Sequence, residues 1–96
     1  ATVVYESSDA LAFEDVNPMA PVHVVVVPKK HVPTLMDVPD GMMDRLLEAV
    51  RKVAELKGVA ASGFRTVINC NQEGGQVIFH LHVHVLGGRK LSDEMG

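Results

Sequence analysis

A single stretch of the chain alternates histidine with apolar residues over seven positions: His80-Leu81-His82-Val83-His84-Val85-Leu86. Successive side chains of a β-strand point to opposite faces of a sheet. The alternation therefore predicts a strand, placed at Val77–Leu86, with three imidazoles on one face and apolar side chains in the core. A merely solvated face would normally carry lysine, glutamate and threonine instead, so the imidazoles are candidates for chemistry.

Four further segments are rich in residues that favour extended backbone and are bounded by turn formers. They lie at Thr2–Glu6, Leu11–Phe13, Val22–Pro28 and Phe64–Asn69. Because Val22–Pro28 is almost wholly β-branched, it predicts a central strand buried on both faces. The prolines from Pro28 to Pro39 predict an irregular connection on the surface after that strand.

Apolar residues recur at intervals of three and four from Met43 to Ala54, with charged residues mainly opposite them. This spacing predicts an amphipathic helix that begins after Asp40, a candidate N-cap, and ends within two residues of Gly58. Five strands and this helix predict an α+β fold, in which a mostly antiparallel five-stranded sheet is packed by one main helix.

Composition excludes several classes of protein. The only cysteine, Cys70, cannot form an internal disulfide and fits a reducing compartment, so a cytoplasmic location is expected. No apolar run approaches the roughly 20 residues of a membrane helix. With a net charge of −3 and scattered basic residues, we expect neither a membrane nor a nucleic-acid partner. The small size of the chain favours association with a second copy.

The imidazole face admits a metal site as one interpretation, because imidazole is the commonest transition-metal ligand. Strand geometry separates the Cβ atoms of His80 and His84 by roughly 13 Å, so one zinc ion is not expected to bind both. Two neighbouring histidines together with His23 could still hold zinc, with Cys70 or Glu73 approaching as a further ligand. Zinc is therefore possible but not favoured, and no cofactor is required.

Nucleophilic catalysis is the other interpretation of the imidazole face. A neutral imidazole is a competent nucleophile near neutral pH, and neighbouring imidazoles can hold its tautomer. The loop before the strand contains Gly74 and Gly75, which let backbone N–H groups approach an anion closely. Imidazoles beside an anion cradle favour phosphoryl or nucleotidyl transfer.

Residues 80–88 resemble the signature of the histidine triad (HIT) family of nucleotide hydrolases and transferases. Three other segments resemble its Hint-type branch, the nucleoside phosphoramidases: Phe13–His23, Val27–His31 and Asn69–Gln76. The resemblance spans essentially the whole chain and implies that 1–96 is a single HIT domain. Members usually begin with a further segment that precedes Ala1, so that part of the family domain is expected to be missing.

The resemblance implies an enzyme that binds purine nucleotides and hydrolyses adenosine 5′-phosphoramidates, working as a homodimer of protomers that share a sheet. His82 matches the nucleophile, which attacks the α-phosphorus and forms a nucleotidyl-histidine that water then hydrolyses. His84 and His80 match positions that contact phosphate and orient the nucleophile. His23 matches a further histidine behind the triad.

The same resemblance implies the nucleotide contacts. Asp15 matches a carboxylate that accepts the ribose hydroxyls, although an Asx-turn before Asn17 is the alternative. Phe13 and Val16 match the apolar base pocket. The phosphate side is implied by a set of loop positions, which are Asn69, Gly75, Gln76 and Val77.

Two departures from the family pattern put substrate preference in question. Val77 stands where relatives often have a hydroxyl residue, and the loss of one such contact can cost about a hundredfold in rate. The tail after Arg89 lacks the aromatic residues common in this branch. Two alternative functions stay open: hydrolysis or nucleotidyl transfer on dinucleoside polyphosphates or nucleotidyl sugars, and a non-catalytic zinc-binding or interaction module.

Overall fold

The computed structural model describes residues 2–95. In chain order its elements are β1 (Val3–Glu6), β2 (Ala10–Glu14), β3 (Val22–Pro28), a 3-10 turn (Leu35–Asp37), α1 (Met42–Leu56), β4 (Phe64–Val67) and β5 (Val83–Gly87). The strands form one five-stranded antiparallel sheet in the order β1-β2-β3-β5-β4. The predicted α+β fold is therefore confirmed, with β3 at the centre of the sheet. Within residues 2–95, no helix is long and apolar enough to cross a membrane.

The helix α1 covers one face of the sheet. Its residues Leu46, Val50 and Val53 are buried against strand side chains that point to the same face. These strand residues are themselves fully buried, namely Ala10, Ala12, Val24, Val26, Val83 and Val85. A buried valine or leucine contributes roughly 1.5–3 kcal/mol by leaving water. Because α1 covers this face only, the opposite face of β3 and β5 remains available for a cleft.

The end of α1 is stabilised by hydrogen bonds around a left-handed glycine, as the sequence predicted. Gly58 has a φ of +72°, and its N–H donates to the Glu55 carbonyl while the Val59 N–H donates to the Ala54 carbonyl. This pair of bonds is a Schellman motif, which satisfies carbonyls at the helix end. The predicted cap at Asp40 is wrong. The N-cap is Gly41, whose φ of +88° turns the chain without a side-chain capping bond.

The strand predicted at Val77–Leu86 is too long, because β5 begins only at Val83. The neighbouring strand β3 ends at Pro28, which has no N–H with which to continue a ladder. Residues 77–82 are consequently irregular. Their alternation nevertheless survives: Leu81, Val83 and Val85 are fully buried, while the intervening histidines are partly exposed.

The connection after β3 is less superficial than predicted. Val32 belongs to the apolar core and is 3% exposed, and Thr34 is 6% exposed. The Val32 carbonyl accepts a 2.7 Å hydrogen bond from the Leu81 N–H. The prolines do prevent pairing in a sheet here, but they do not keep the segment out of the core.

Candidate active site

A cleft of about 560 Å³ opens on the face of the sheet that α1 leaves uncovered. Val25 and Val27 of β3 lie between its two sides. One side carries the three triad histidines, and the other carries the segment from Phe13 to Asn17. The structure therefore brings the triad together with Phe13, Asp15 and Val16, as the resemblance implied. A larger depression of about 630 Å³ lies beside the end of α1 and is lined by no histidine.

His82 presents an unprotonated nitrogen. Its Nδ1 lies 2.9 Å from the carbonyl oxygen of His80. A carbonyl oxygen only accepts hydrogen bonds, so the proton of the neutral ring is on Nδ1 and the lone pair is on Nε2. The ring lines the cleft, and this tautomer leaves Nε2 with the free lone pair that a nucleophile requires.

His80 anchors the segment that carries His82. Its Nε2 lies 3.0 Å from the Pro28 carbonyl and donates to it, and the adjacent Leu81 N–H donates to the Val32 carbonyl. The ring of His31 meets that of His80 edge to face, with centroids 5.0 Å apart. These contacts replace the missing ladder and suit an orienting role for His80.

His84 lines the cleft and contacts a second, buried imidazole. Its Nδ1 is 2.9 Å from Nε2 of His23, a residue that is 5% exposed. The pKa of His84 is lowered from the usual 6.5, chiefly by burial and further by His82 and His23, whereas Asp15 opposes the shift. His84 is therefore neutral at neutral pH.

Asp15 forms the Asx-turn that the sequence offered as one alternative, and its second carboxylate oxygen stays near the cleft. Its Oδ1 accepts a 2.8 Å hydrogen bond from the Asn17 N–H, which is an Asx-turn. Its Oδ2 lies 3.5 Å from Nε2 of His23, and the residue lines the cleft. Carboxylate oxygens have about four lone-pair sites in total, so Asp15 retains capacity for hydroxyl donors.

One group of side chains among residues 2–95 has the geometry to be considered for a metal ion. Ligand atoms of Asp15, His23 and His84 all lie within 4.8 Å of one another. Of the zinc ligands considered from the sequence, Cys70 and Glu73 are not in this group. The sequence suggested His23 with two triad histidines, but His84 is the one triad histidine in this group.

Polar side chains of the loop predicted to hold phosphate form the hydrogen bonds that maintain its shape. Asn69 Nδ2 donates to the Gly74 carbonyl at 2.7 Å. Gln76 is 6% exposed; its Oε1 accepts from the Asn71 N–H, and its Nε2 donates to the carbonyls of Pro33 and Ile78. These bonds close the loop and tie it to the segment after β3.

The structure places the phosphate-side candidates outside the wall of the cleft. Asn69, Gly75, Gln76 and Val77 are not among its lining residues, and the Val77 side chain is 87% exposed. Contact between this loop and a nucleotide remains a prediction. Position 74 requires glycine for a packing reason, because a Cβ there would come within 2.4 Å of the Cys70 carbonyl oxygen.

Sequence reasoning missed several cleft residues. Val25 and Val27 share the cleft face with His23, two and four positions along β3, so counting by twos from His23 would have found them. Ile78 is likewise two positions before His80 and is 68% exposed. Glu14 also lines the cleft, but no spacing in the sequence marked it as a cleft residue. Its carboxylate forms a 2.5 Å ion pair with Lys57, which lies just beyond the end of α1.

Comparison with known proteins agrees with this fold and shows the family. A family model described as HIT domain matches residues 1–91. The purine nucleoside phosphoramidase of Escherichia coli (strain K12) is 38% identical over 92 residues, which are 93% of this chain and 77% of that protein. An uncharacterised HIT-like protein of Synechocystis sp. is 47% identical over 95 residues, covering 96% of this chain and 82% of that protein.

Solved structures are similar over nearly the whole chain. A HIT family hydrolase from Legionella pneumophila Philadelphia 1 matches with a TM-score of 0.95 and 41% identity, covering 100% of this chain and 88% of that one. A histidine triad protein from Clostridium difficile matches with a TM-score of 0.91 and 47% identity, covering 97% and 84%.

The lowered pKa of His84 predicts a pH dependence of stability. Between its folded pKa and 6.5 the unfolded chain binds more protons than the folded protein, so the free energy of unfolding decreases as the pH falls through 6.5. The contribution is fully present above that range and lost below the folded pKa. Urea unfolding across this range should show a shallower decline in His84→Gln than in the wild type. His31→Gln, which changes an exposed histidine, should keep the wild-type decline; equal slopes in all three proteins would contradict the prediction.

Proposed function

The chain belongs to the HIT domain family, and from this premise we propose that it is a purine nucleotide-binding hydrolase that cleaves the P–N bond of adenosine 5′-phosphoramidates. One observation carries the proposal: the hydrogen bond from His82 Nδ1 to the His80 carbonyl leaves Nε2 unprotonated in a cleft with two more imidazoles. The name of the Escherichia coli relative supports this choice of bond.

The proposed reaction has two steps. Nε2 of His82 attacks the α-phosphorus, the P–N bond breaks, and the amine departs with one proton taken from solvent. Water then attacks the nucleotidyl-histidine, gives one proton back to solvent, releases the nucleoside monophosphate and restores His82. The two steps together consume one water molecule. A covalent intermediate of this kind divides one difficult displacement into two easier ones.

The nucleotide fits the cleft in one direction under this proposal. Phe13, Val16, Val25 and Val27 offer apolar contacts for the base, and Asp15 accepts from the ribose hydroxyls. The phosphate then lies beside the triad, and the proposal includes its contact with backbone donors in the loop that ends at Val77. A volume of about 560 Å³ is within the usual range of small-molecule sites.

We also propose that the chain works as a homodimer that extends its sheet. β4 is an edge strand with β5 as its one neighbour among the described strands, and an open edge readily accepts another strand. Phe64 on β4 and Leu56 at the end of α1 are both partly exposed apolar residues. Sedimentation equilibrium should give twice the chain mass; a monomer at micromolar concentration would contradict this proposal.

Removing the nucleophile should abolish the covalent intermediate. After mixing with an adenosine 5′-phosphoramidate, intact mass spectrometry should show a nucleotidyl adduct on the wild type and none on His82→Ala. Turnover should fall by about a thousandfold or more, because the step that His82 performs is lost. Lys52→Ala, on an exposed part of α1, should retain both adduct and turnover. Unchanged turnover in His82→Ala would end the proposal.

Removing the charge of Asp15 should weaken nucleotide binding. Asp15→Asn retains a side-chain oxygen for the Asx-turn but loses charge-assisted hydrogen bonds to the ribose, which are worth about 1.5–3 kcal/mol. Calorimetry should therefore show an AMP dissociation constant raised roughly 10- to 100-fold. Asp40→Asn, an exposed aspartate outside the cleft, serves as the control. Equal affinities in the wild type and Asp15→Asn would remove Asp15 from the binding site.

A further inference from the structure

A backbone N–H contacts the buried histidine behind the triad. The Met19 N–H donates to Nδ1 of His23 over 3.0 Å. An N–H group only donates, so Nδ1 must offer its lone pair, and the proton of the neutral His23 ring is on Nε2. The tautomer of His23 is thus determined by the main chain of the loop before β3.

The tautomer of His23 determines that of His84 through the next hydrogen bond. The Nε2–H of His23 points at Nδ1 of His84, 2.9 Å away, so Nδ1 of His84 accepts. The proton of the neutral His84 ring is then on Nε2. The ring of His84 lines the cleft and lies 5.0 Å from that of His82, centroid to centroid. All the donors in this series point in one direction, from Met19 through His23 to His84.

We propose that the backbone N–H of Met19 is a positioning group that fixes the tautomers of His23 and His84. His84 is thereby left with an N–H donor, and the Asp15–His23–His84 cluster is closed to metal ions. The tautomers and the exclusion of metal are independent of the proposed function. Only the use of the His84 donor on a phosphate oxygen or a leaving amine rests on it.

The exclusion of metal follows from the same bond. A neutral His23 that coordinated a metal through Nε2 would carry its proton on Nδ1, where it would meet the Met19 N–H as a second donor. The distance between the two imidazole nitrogens is also 2.9 Å. Tetrahedral zinc with bonds of 2.0–2.1 Å would separate them by about 3.3 Å. The observed gap is that of a hydrogen bond, and zinc would require the two nitrogens to move apart.

The loop is held so that Met19 can act in this way. Its N-terminal end is tied to β3 by the Asp15 N–H, which donates to the His23 carbonyl, and by the Asx-turn at Asn17. Pro18 and Pro21 restrict the backbone on either side of Met19. Met19 is 72% exposed, and its contact with His23 is made by its backbone N–H.

The tautomers can be observed directly in the wild-type protein. Long-range ¹H–¹⁵N correlation spectra above pH 7 should show protonated Nε2 and unprotonated Nδ1 for both His23 and His84. His82 should show the reverse pattern, which provides an internal reference. A proton on Nδ1 of His23 would overturn the proposal. This result does not depend on turnover, so it is distinct from failure of the His82 adduct experiment.

Replacing the Met19 amide by an ester removes the N–H and keeps the side chain. Without the donor, we expect the proton of His23 to move to Nδ1 and that of His84 to follow, so that both tautomers reverse. Affinity for Co²⁺, followed by its visible absorption, should then rise at least about tenfold, a change of about 1.4 kcal/mol. The same ester at Met95, which is 98% exposed, should leave the tautomers and the Co²⁺ affinity unchanged.

Two results of the ester experiment would overturn the proposal. One is unchanged tautomers in a folded Met19 ester protein, which would show that another group holds His23. The other is stoichiometric, tight Co²⁺ binding by the wild-type protein that Asp15→Asn weakens, which would show that the cluster is a metal site. If the ester protein does not fold, the wild-type spectra and the wild-type Co²⁺ titration still decide the question.

Discussion

The end of the ladder at Pro28 is the constraint on which the rest of the site depends. Because the ladder of β3 stops there, the segment before β5 is held by separate hydrogen bonds to residues 28–33, from Gln76, His80 and Leu81. The His80 carbonyl belongs to the same trans peptide as the Leu81 N–H, which donates to Val32, so it points away from residues 28–33 and towards the side of β4. Because β4 ends at Val67, opposite His84, no ladder holds this carbonyl. It accepts from Nδ1 of His82 and leaves Nε2 unprotonated.

The apolar core and the candidate active site lie on opposite faces of the sheet. On β3, Val24 and Val26 pack under α1, while His23, Val25 and Val27 face the other way. Strand alternation therefore places residues of the core and of the cleft next to one another in sequence. The packed core under α1 supports the strands whose opposite face carries the imidazoles.

Main-chain groups do much of the positioning in this cleft. The His80 and Pro28 carbonyls accept from ring nitrogens of His82 and His80, and the Met19 N–H donates to His23. Each of these bonds assigns a proton to one nitrogen of a neutral ring. Buried polar groups need such partners, and no buried side-chain nitrogen or oxygen among the described residues lacks one. Backbone groups therefore determine the tautomers of His23, His80 and His82.

The sequence by itself determined the sheet, the helix and the imidazole face, because these depend on local periods of two and of three to four residues. It also placed Asp15 and the triad in one site through the family resemblance. Only the tertiary structure decided where β5 begins, which nitrogens of the histidines carry protons, and that Val32 and Gln76 are buried. The physical reason is that these features depend on contacts between distant segments, many of them through backbone groups. Every residue except proline has the same N–H and carbonyl, so residue types carry no signal of where those groups will meet a side chain.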